Sequence, residues 1–292
     1  MKKNTLSVAL AVYNEEKFLE ICLKSVQEIA DEINIVDGGS TDKTVEIAKS
    51  FKAKIQITDN PKIFHINKQK ALEMCKGDWI LQLDADEVVT KELGEEVVKV
   101  ISLSREQLEI YQQNLPKRQL FLRHQKLLEK RDGQIGETNG DYAGFFLPRK
   151  NYFLGKYLKY GGVYPDGVIR LVKNGRAKFP CKSVHEQIVV NGRVGWLEND
   201  LIHLADADFK RYLSRNSHYI DLLTEELRSE KVPISLFQAI NYFILKPTGW
   251  FLITQIRHKG ILDGYQGIVF SLFSALRFPR AYFRYLKKEH EK

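Results

Sequence analysis

Asp84 and Asp86 stand two residues apart in LQLDADE, with Glu87 beside them, where the apolar run WILQL ends. In water such carboxylates repel one another, and burying them is costly unless something positive sits among them. A solvated turn meets that constraint, and so does a site for a divalent metal or a phosphate-bearing ligand. Hard oxygen ligands suit Mg²⁺ or Mn²⁺, which complete their shells with substrate phosphates. A second triplet, Asp206-Ala207-Asp208, follows another apolar run, LIHLA. There Phe209, Tyr212 and Leu213 continue at helical spacing, so these acids are expected to cap a helix and complement its dipole. His203, just upstream, reads as a hydrogen-bonded structural histidine.

The elements that must position the first triplet alternate regularly. LSVALAV, INIVD, IQIT and DWILQLD are apolar runs suited to strands covered on both faces. Between them lie helical segments, the first expected to be capped by Asn14 and the second by Thr41 or Asp42. The pattern predicts an α/β fold with a mostly parallel, Rossmann-like sheet flanked by helices. In such sheets ligands bind at the carboxyl ends of the strands, where Ala11–Glu15, Asp37–Asp42 and Asp84–Glu87 all fall. Lys91 to Arg131 reads as charged helix interrupted at Pro116. DYAGFFLPR, GVIRLVK, AKFPCKSVHEQIVV and RVGWL read as β-structure before helices resume at Phe209.

The totals narrow the class. The chain has 292 residues, 43% of them hydrophobic, which is enough for one large domain or two. Its formal net charge of +8 suits an anionic partner. Cys22, Cys75 and Cys181 form no CxxC pair and read as reduced core residues, and the N-terminal MKKNTLSVALAVYNEE lacks a signal-peptide core, so a cytosolic protein is expected. No run reaches the ~20 apolar residues of a spanning helix. The last sixty residues interleave aromatics such as Phe237, Trp250 and Tyr282 with cations such as Lys246, Arg257 and Arg280. That composition suits an amphipathic helical region lying on an anionic membrane surface. Nucleic-acid binding is not expected, because no recognition motif accompanies it.

Together, VALAVYNEE, IVDGGSTDKT and WILQLDADE resemble the family 2 glycosyltransferases, inverting enzymes of the GT-A fold that use nucleotide sugars. VIRLVKNGRAKFPCKSVHEQI and the C-terminal part look like the lipopolysaccharide-core and cell-surface-polysaccharide branch. The resemblance implies that Ala11, Tyr13 and Glu15 cradle the nucleoside and that Asp37 contacts a uracil or equivalent base. Gly38 stands where the family often has a second Asp. Lys68 and Gln69 lie where the family commonly shows Arg-Asn; Lys68 would neutralise phosphate without an arginine's bidentate fork. Arg170 would meet the diphosphate, or else be only a paired strand residue. Asp84 and Asp86 would hold Mg²⁺ or Mn²⁺ against the leaving nucleoside diphosphate.

Inverting transfer also needs a base for the acceptor hydroxyl. Glu186 is the first candidate. If SVHEQIVV is a strand, Val184, Glu186, Ile188 and Val190 share one apolar face, and His185 points the other way. Asp166 in YPDGVIRL is the second, although Asp-Gly also reads as a turn. Residues 1–230 would form the GT-A domain, comprising a nucleotide-sugar half (1–90), a helical insertion (91–135) and an acceptor-side half (136–230). Residues 231–292 would form the membrane-associating region. The expected activity is transfer of a sugar, UDP-linked, to a lipid-linked saccharide or lipopolysaccharide-core acceptor at the cytoplasmic face of the membrane. The rival readings are a sugar-nucleotide nucleotidyltransferase, which would open on a Gly-rich phosphate loop, and a catalytically silent nucleotide-sugar-binding module.

Overall fold

Strands that are apolar on both faces need cover on both, and the first ninety residues provide it. A computed structural model describes residues 4–182, 187–206 and 209–290. In it β1 (Leu6–Val12), α1 (Leu19–Val26), β2 (Glu32–Asp37), α2 (Thr44–Ser50), β3 (Lys54–Ile57), α3 (His65–Glu73) and β4 (Trp79–Leu83) alternate along the chain. The four strands run parallel in the order β3-β2-β1-β4. Leu6, Val8, Leu10 and Val12 of β1 join Leu19, Cys22 and Leu23 of α1 in one core. Ala9 faces the other way, with Ala71 and Leu72 of α3. The sheet is therefore doubly covered, as the uninterrupted hydrophobicity requires.

Asn14 does not cap α1. Its backbone is left-handed, at φ 54°, and its Oδ1 accepts from the Thr41 amide at 2.8 Å. Asparagine tolerates that conformation better than most residues, so it ties two loops together, and α1 begins only at Leu19 with no side-chain cap. At α2 the capping position is Lys43, with no side-chain cap, and Asp42 one residue earlier accepts from the Thr44 amide at 2.9 Å.

Next come β5 (Glu87–Val89), α4 (Lys91–Ile101), α5 (Arg105–Gln113) and α6 (Arg118–Asp132). Thr90 caps α4, and Ser104 with Gln107 forms a capping box on α5. The β-rich stretch contains β6 (Tyr142–Phe153), β7 (Lys156–Tyr157), β8 (Asp166–Lys173), β9 (Ala177–Lys178), β10 (Val189–Val190), β11 (Arg193–Trp196) and β12 (Leu201–Asp206). β8 adds antiparallel to β4, and β6 adds antiparallel to β8. The sheet continues β4-β8-β6-β12-β5, so its parallel half is followed by an antiparallel one. The expected strand SVHEQIVV is, among the described residues, a strand only at Val189–Val190. Val184, His185 and Glu186 lie outside the described residues.

The chain forms two compact units, one of residues 1–149 and 165–203, the other of residues 150–164 and 204–292. This division differs from a boundary at 230. The second unit contains α7 (Phe209–Ser229), α8 (Leu236–Ile240), α9 (Lys246–Leu252) and α10 (Tyr265–His290). Ile220 and Leu227 of α7 bury against Ala281, Tyr282 and Tyr285 of α10, which binds α7 to the C-terminal helices. Phe153 lies among Tyr212 and Phe270 at ring distances of 4.8 and 5.6 Å, drawing the 150–164 hairpin in with them. Asp206 does not cap α7. It ends β12 and pairs with Arg215 at 2.8 Å, and Asp208 lies outside the described residues.

At the amino ends of the parallel strands Glu32 organises a buried polar knot. Its Oε1 accepts from the Ser7 hydroxyl at 2.7 Å and the Lys76 amide at 2.6 Å, and its Oε2 from Lys54 at 2.6 Å. Burial disfavours the charged carboxylate, but these donors outweigh it and bring its pKa down to about 2. A lowered folded-state pKa contributes stability above the unfolded value of 4.5, lost as pH falls toward about 2. Glu32→Gln is expected to cost about 1–2 kcal/mol at pH 7. In urea titrations the gap from wild type should close between pH 5 and 2. A gap that stays constant with pH would show that the charge is not the stabilising feature.

Candidate active site

β1, β2 and β4 run in register, with Val12 beside Asp37 and Leu10 beside Leu83, so the segments that follow them emerge along one edge. The first two of these loops are knitted to each other. Asn14 N–H donates to Ser40 Oγ at 2.8 Å, Glu15 N–H to Thr44 Oγ1 at 2.8 Å, and Glu16 N–H to Asp42 Oδ2 at 3.1 Å. Asp37 is buried, and its Oδ1 accepts from the Gly39 and Ser40 amides at 2.9 and 2.8 Å. Its Oδ2 accepts from the Ser40 hydroxyl at 2.5 Å. A carboxylate has about four lone-pair sites, so Asp37 shapes the loop and retains an acceptor direction on Oδ2. Tyr13 is exposed at the rim, with Ala11 and Glu15 partly buried beneath it.

The third loop answers the problem of the crowded acids. Asp84 Oδ1 lies 2.5 Å from Lys68 Nζ, and its Oδ2 pairs with Arg170. Arg170 also donates to Glu87 Oε1 at 2.8 Å from Nη2, and to Gln82 from Nη1. Glu87, with no exposed surface, takes Arg149 Nη1 at 3.2 Å and accepts the Asp84 amide at 3.0 Å. Arg149 in turn donates to Asp166 Oδ2 at 2.7 and 3.0 Å. Lys68, Asp84, Arg170, Glu87, Arg149 and Asp166 thus form a chain of alternating charge with zero net charge. That is the condition under which buried ions are tolerated.

Burial works against the Asp84 carboxylate, but Arg170 and Lys68 more than offset it and hold its pKa well below the usual range. Burial lowers the pKa of Lys68, and Asp84 opposes it only in part. For Arg170 burial is outweighed by Asp84 and Glu87, so its pKa is raised.

Asp86 stands apart from this chain. β12 pairs antiparallel with β5, placing His203 opposite Glu87, and His203 Nε2 lies 3.7 Å from Asp86 Oδ1. Among the described residues no cluster of three His, Cys, Asp or Glu is placed to hold a metal. Asp86 and His203 are one oxygen and one nitrogen donor 3.7 Å apart.

Of the residues singled out in the sequence, the structure brings Lys68, Asp84, Arg170 and Asp166 into one cluster, with Asp86 next to it. Gln69 is drawn elsewhere. Its Oε1 accepts from the Phe179 amide at 2.8 Å and its Nε2 donates to Glu73 at 2.8 Å, so it pins a loop instead of facing the cluster. Glu186 lies outside the described residues. Arg149, the hub role of Glu87 and the place of His203 were missed. Arg149 meets Asp166 only because the two face each other across the antiparallel β6–β8 pair. His203 reaches Asp86 only through β12–β5 pairing, although its place in the apolar run LIHLA was a signal that it lay on a strand.

A model of glycosyl transferase family 2 matches residues 7–164. The lipopolysaccharide core biosynthesis glycosyltransferase LpsC of Rhizobium meliloti is 25% identical over 94% of this chain and 92% of its own length. An uncharacterized glycosyltransferase of Rickettsia bellii is 42% identical over 93 residues, covering 32% of this chain and 31% of that protein. The match thus spans under a third of that relative's length. Glucosyl-3-phosphoglycerate synthase of Mycobacterium tuberculosis, crystallised with Mn²⁺, UDP and glucosyl-3-phosphoglycerate, aligns at TM-score 0.31 and 23% identity over 35% of this chain and 40% of that one. The family model covers more than half of the 292 residues and takes in all three strand-end motifs. The chain belongs to glycosyl transferase family 2.

Proposed function

We propose that the chain is an inverting glycosyltransferase that moves a sugar from a nucleotide-sugar donor, UDP-linked, to a lipid-linked saccharide or lipopolysaccharide-core acceptor at an anionic membrane surface. The observation that carries the reading is the charge-balanced cluster around Asp84, with Asp86 and His203 beside it, at the carboxyl edge of the parallel strands. Similarity to LpsC along nearly the whole chain supports the choice of acceptor.

Asp37 keeps an acceptor position for a base N–H, and the exposed Tyr13 ring offers a face for stacking. Lys68 and Arg170 stand at the edge where a diphosphate would lie, their charges balanced by Asp84 and Glu87. Both Asp84 oxygens already face these cations, so Asp86 with His203 is the pair that fits a divalent ion. Oxygen alone would suit Mg²⁺; an imidazole nitrogen shifts the preference toward Mn²⁺. When bound, such an ion would stabilise charge on the departing nucleoside diphosphate. Two protein donors leave most of the coordination shell to donor phosphates and water, the usual arrangement for these ions.

Glu186 is proposed as the base that takes the proton of the acceptor hydroxyl as that oxygen attacks the anomeric carbon. Its described neighbours are anchored, Phe179 on Gln69 and Gln187 on Asp132. Asp166 is the weaker choice, because its Oδ2 is gripped by Arg149. Glu186→Gln is expected to lower kcat about 10²–10⁴-fold, the range typical of general-base loss. Asp166→Asn should keep turnover within about tenfold, well short of that range. The reverse ranking would transfer the role to Asp166. The whole reading is tested by screening nucleotide sugars for thermal shift and slow hydrolysis with and without Mn²⁺. A metal-dependent response to one donor supports it. Donor binding with no hydrolysis or transfer would favour the silent binding module.

A further inference from the structure

From Ser235 to Leu262 the second unit exposes a concentration of large apolar side chains while some of its polar ones are buried. Thr254 and Gln255, and Asp263 just beyond the stretch, are all at most 6% exposed. Gln255 Nε2 donates to the Gly267 carbonyl at 2.9 Å and to Ser271 Oγ at 2.6 Å. The Asp263 carboxylate accepts from the Lys159 and Tyr160 amides, the latter at 2.8 Å, and its carbonyl accepts from Lys156. Most of the large aliphatic side chains point outward, although Tyr242 and Pro247 are buried. Leu236 is 78% exposed, Ile256 71%, Phe237 69% and Ile261 61%. Scattered exposed leucines are normal on a protein surface, but this is a concentration: 12 of the 28 large hydrophobics that are exposed among the described residues fall between Ile234 and Leu262.

Charge selects the occupant. Val232 to Leu262 contains no Asp or Glu, and its charged side chains are Lys246, Arg257 and Lys259. The helix here runs without a break from Leu236 to Arg257, through α8, a π-helical stretch at Asn241–Leu245, α9 and a second π-helical stretch at Ile253–Arg257, and a 3₁₀ turn follows at Gly260–Asp263. No helix among the described residues is long and apolar enough to cross a membrane.

We infer that Ser235–Leu262 is a rigid, pre-folded wedge that seats in the headgroup boundary of an anionic bilayer. Leu236, Phe237, Ile256 and Ile261 enter the acyl edge, and Arg257 and Lys259 engage lipid phosphates. The inference rests on the membrane-surface part of the proposed function and not on its catalytic part.

The test is flotation of the full chain with vesicles of phosphatidylcholine, with or without phosphatidylglycerol. Wild type should float with the anionic vesicles and weakly with the neutral ones. Phe237→Ser with Ile256→Ser removes two side chains that are 69% and 71% exposed, and should lower partitioning by roughly tenfold or more. Arg257→Gln with Lys259→Gln should lower it by about fivefold per cation on anionic vesicles only. Unchanged flotation of the serine pair would overturn the inference. So would a dimer in sedimentation that the serine pair dissociates while wild type ignores both vesicles, since the face would then belong to a second copy. Donor hydrolysis measured without vesicles should be the same in all these variants. If hydrolysis is absent while flotation behaves as described, the transferase reading fails and the wedge stands.

Discussion

Asp86→Asn is expected to abolish Mn²⁺-dependent donor binding and to lower kcat/KM by about 10³-fold, equivalent to several kcal/mol of lost charge stabilisation. The reason is positional. Asp84 is held on both oxygens by Lys68 and Arg170, whereas Asp86 faces His203 at 3.7 Å. Replacing Asp86 removes one of two protein donors and leaves the neighbouring cations paired, so the variant should fold as wild type. His203→Ala should cost less and should narrow the preference for Mn²⁺ over Mg²⁺, because the nitrogen donor that distinguishes the two ions is gone. Mn²⁺ affinity in the presence of UDP, followed by electron paramagnetic resonance, checks both. If Asp86→Asn binds Mn²⁺ and UDP normally, the metal belongs elsewhere, and Asp84 would have to exchange its cations for it. Chelation of the wild-type protein should mimic Asp86→Asn, with activity restored more fully by Mn²⁺ than by Mg²⁺.

The parallel half of the sheet was legible because β1, β2 and β4 are mostly apolar on both faces with few polar interruptions, a pattern that double cover explains. From parallel order it follows that the segments after Val12, Asp37 and Leu83 share an edge. The antiparallel half was not legible in the same way. Arg149 and Asp166 are seventeen residues apart, and Asp86 and His203 more than a hundred. Their meeting depends on strand register, which local spacing does not encode. Gln69 was misplaced for a related reason: a helical residue beside Lys68 has two plausible destinations, and the loop at Phe179 claimed it. Asn14 shows the limit of capping rules. The same side chain that can cap a helix can also bridge two loops, and φ 54° settles which. In the second unit, composition suggested a membrane surface, but only the fold shows which apolar residues face outward and that α7 belongs with them.

Glu87→Ala should be the most destabilising single substitution in the charge cluster. Glu87 is fully buried and answers Arg170, Arg149 and the Asp84 amide at once. Its removal leaves three cations, Lys68, Arg149 and Arg170, facing two acids, Asp84 and Asp166. Uncompensated buried charge of this kind costs about 3–5 kcal/mol, or roughly 10 °C in Tm for a unit of this size. The transition can be followed through Trp79 and Trp196, which both lie in the first unit. Adding Arg149→Met to Glu87→Ala restores the count to two cations and two acids, but it removes the arginine that grips Asp166 and leaves Asp84 facing both Lys68 and Arg170. Adding Arg170→Met leaves Arg149 with Asp166 and Lys68 with Asp84, two closed pairs, and should recover more of the loss. This ordering separates charge pairing from simple cavity formation, since a cavity would deepen with each further truncation. If both double variants are less stable than Glu87→Ala, packing governs the cluster and its alternating charges are incidental. If the Arg170→Met double variant is the more stable of the two, the cluster is held by the pairing of its charges.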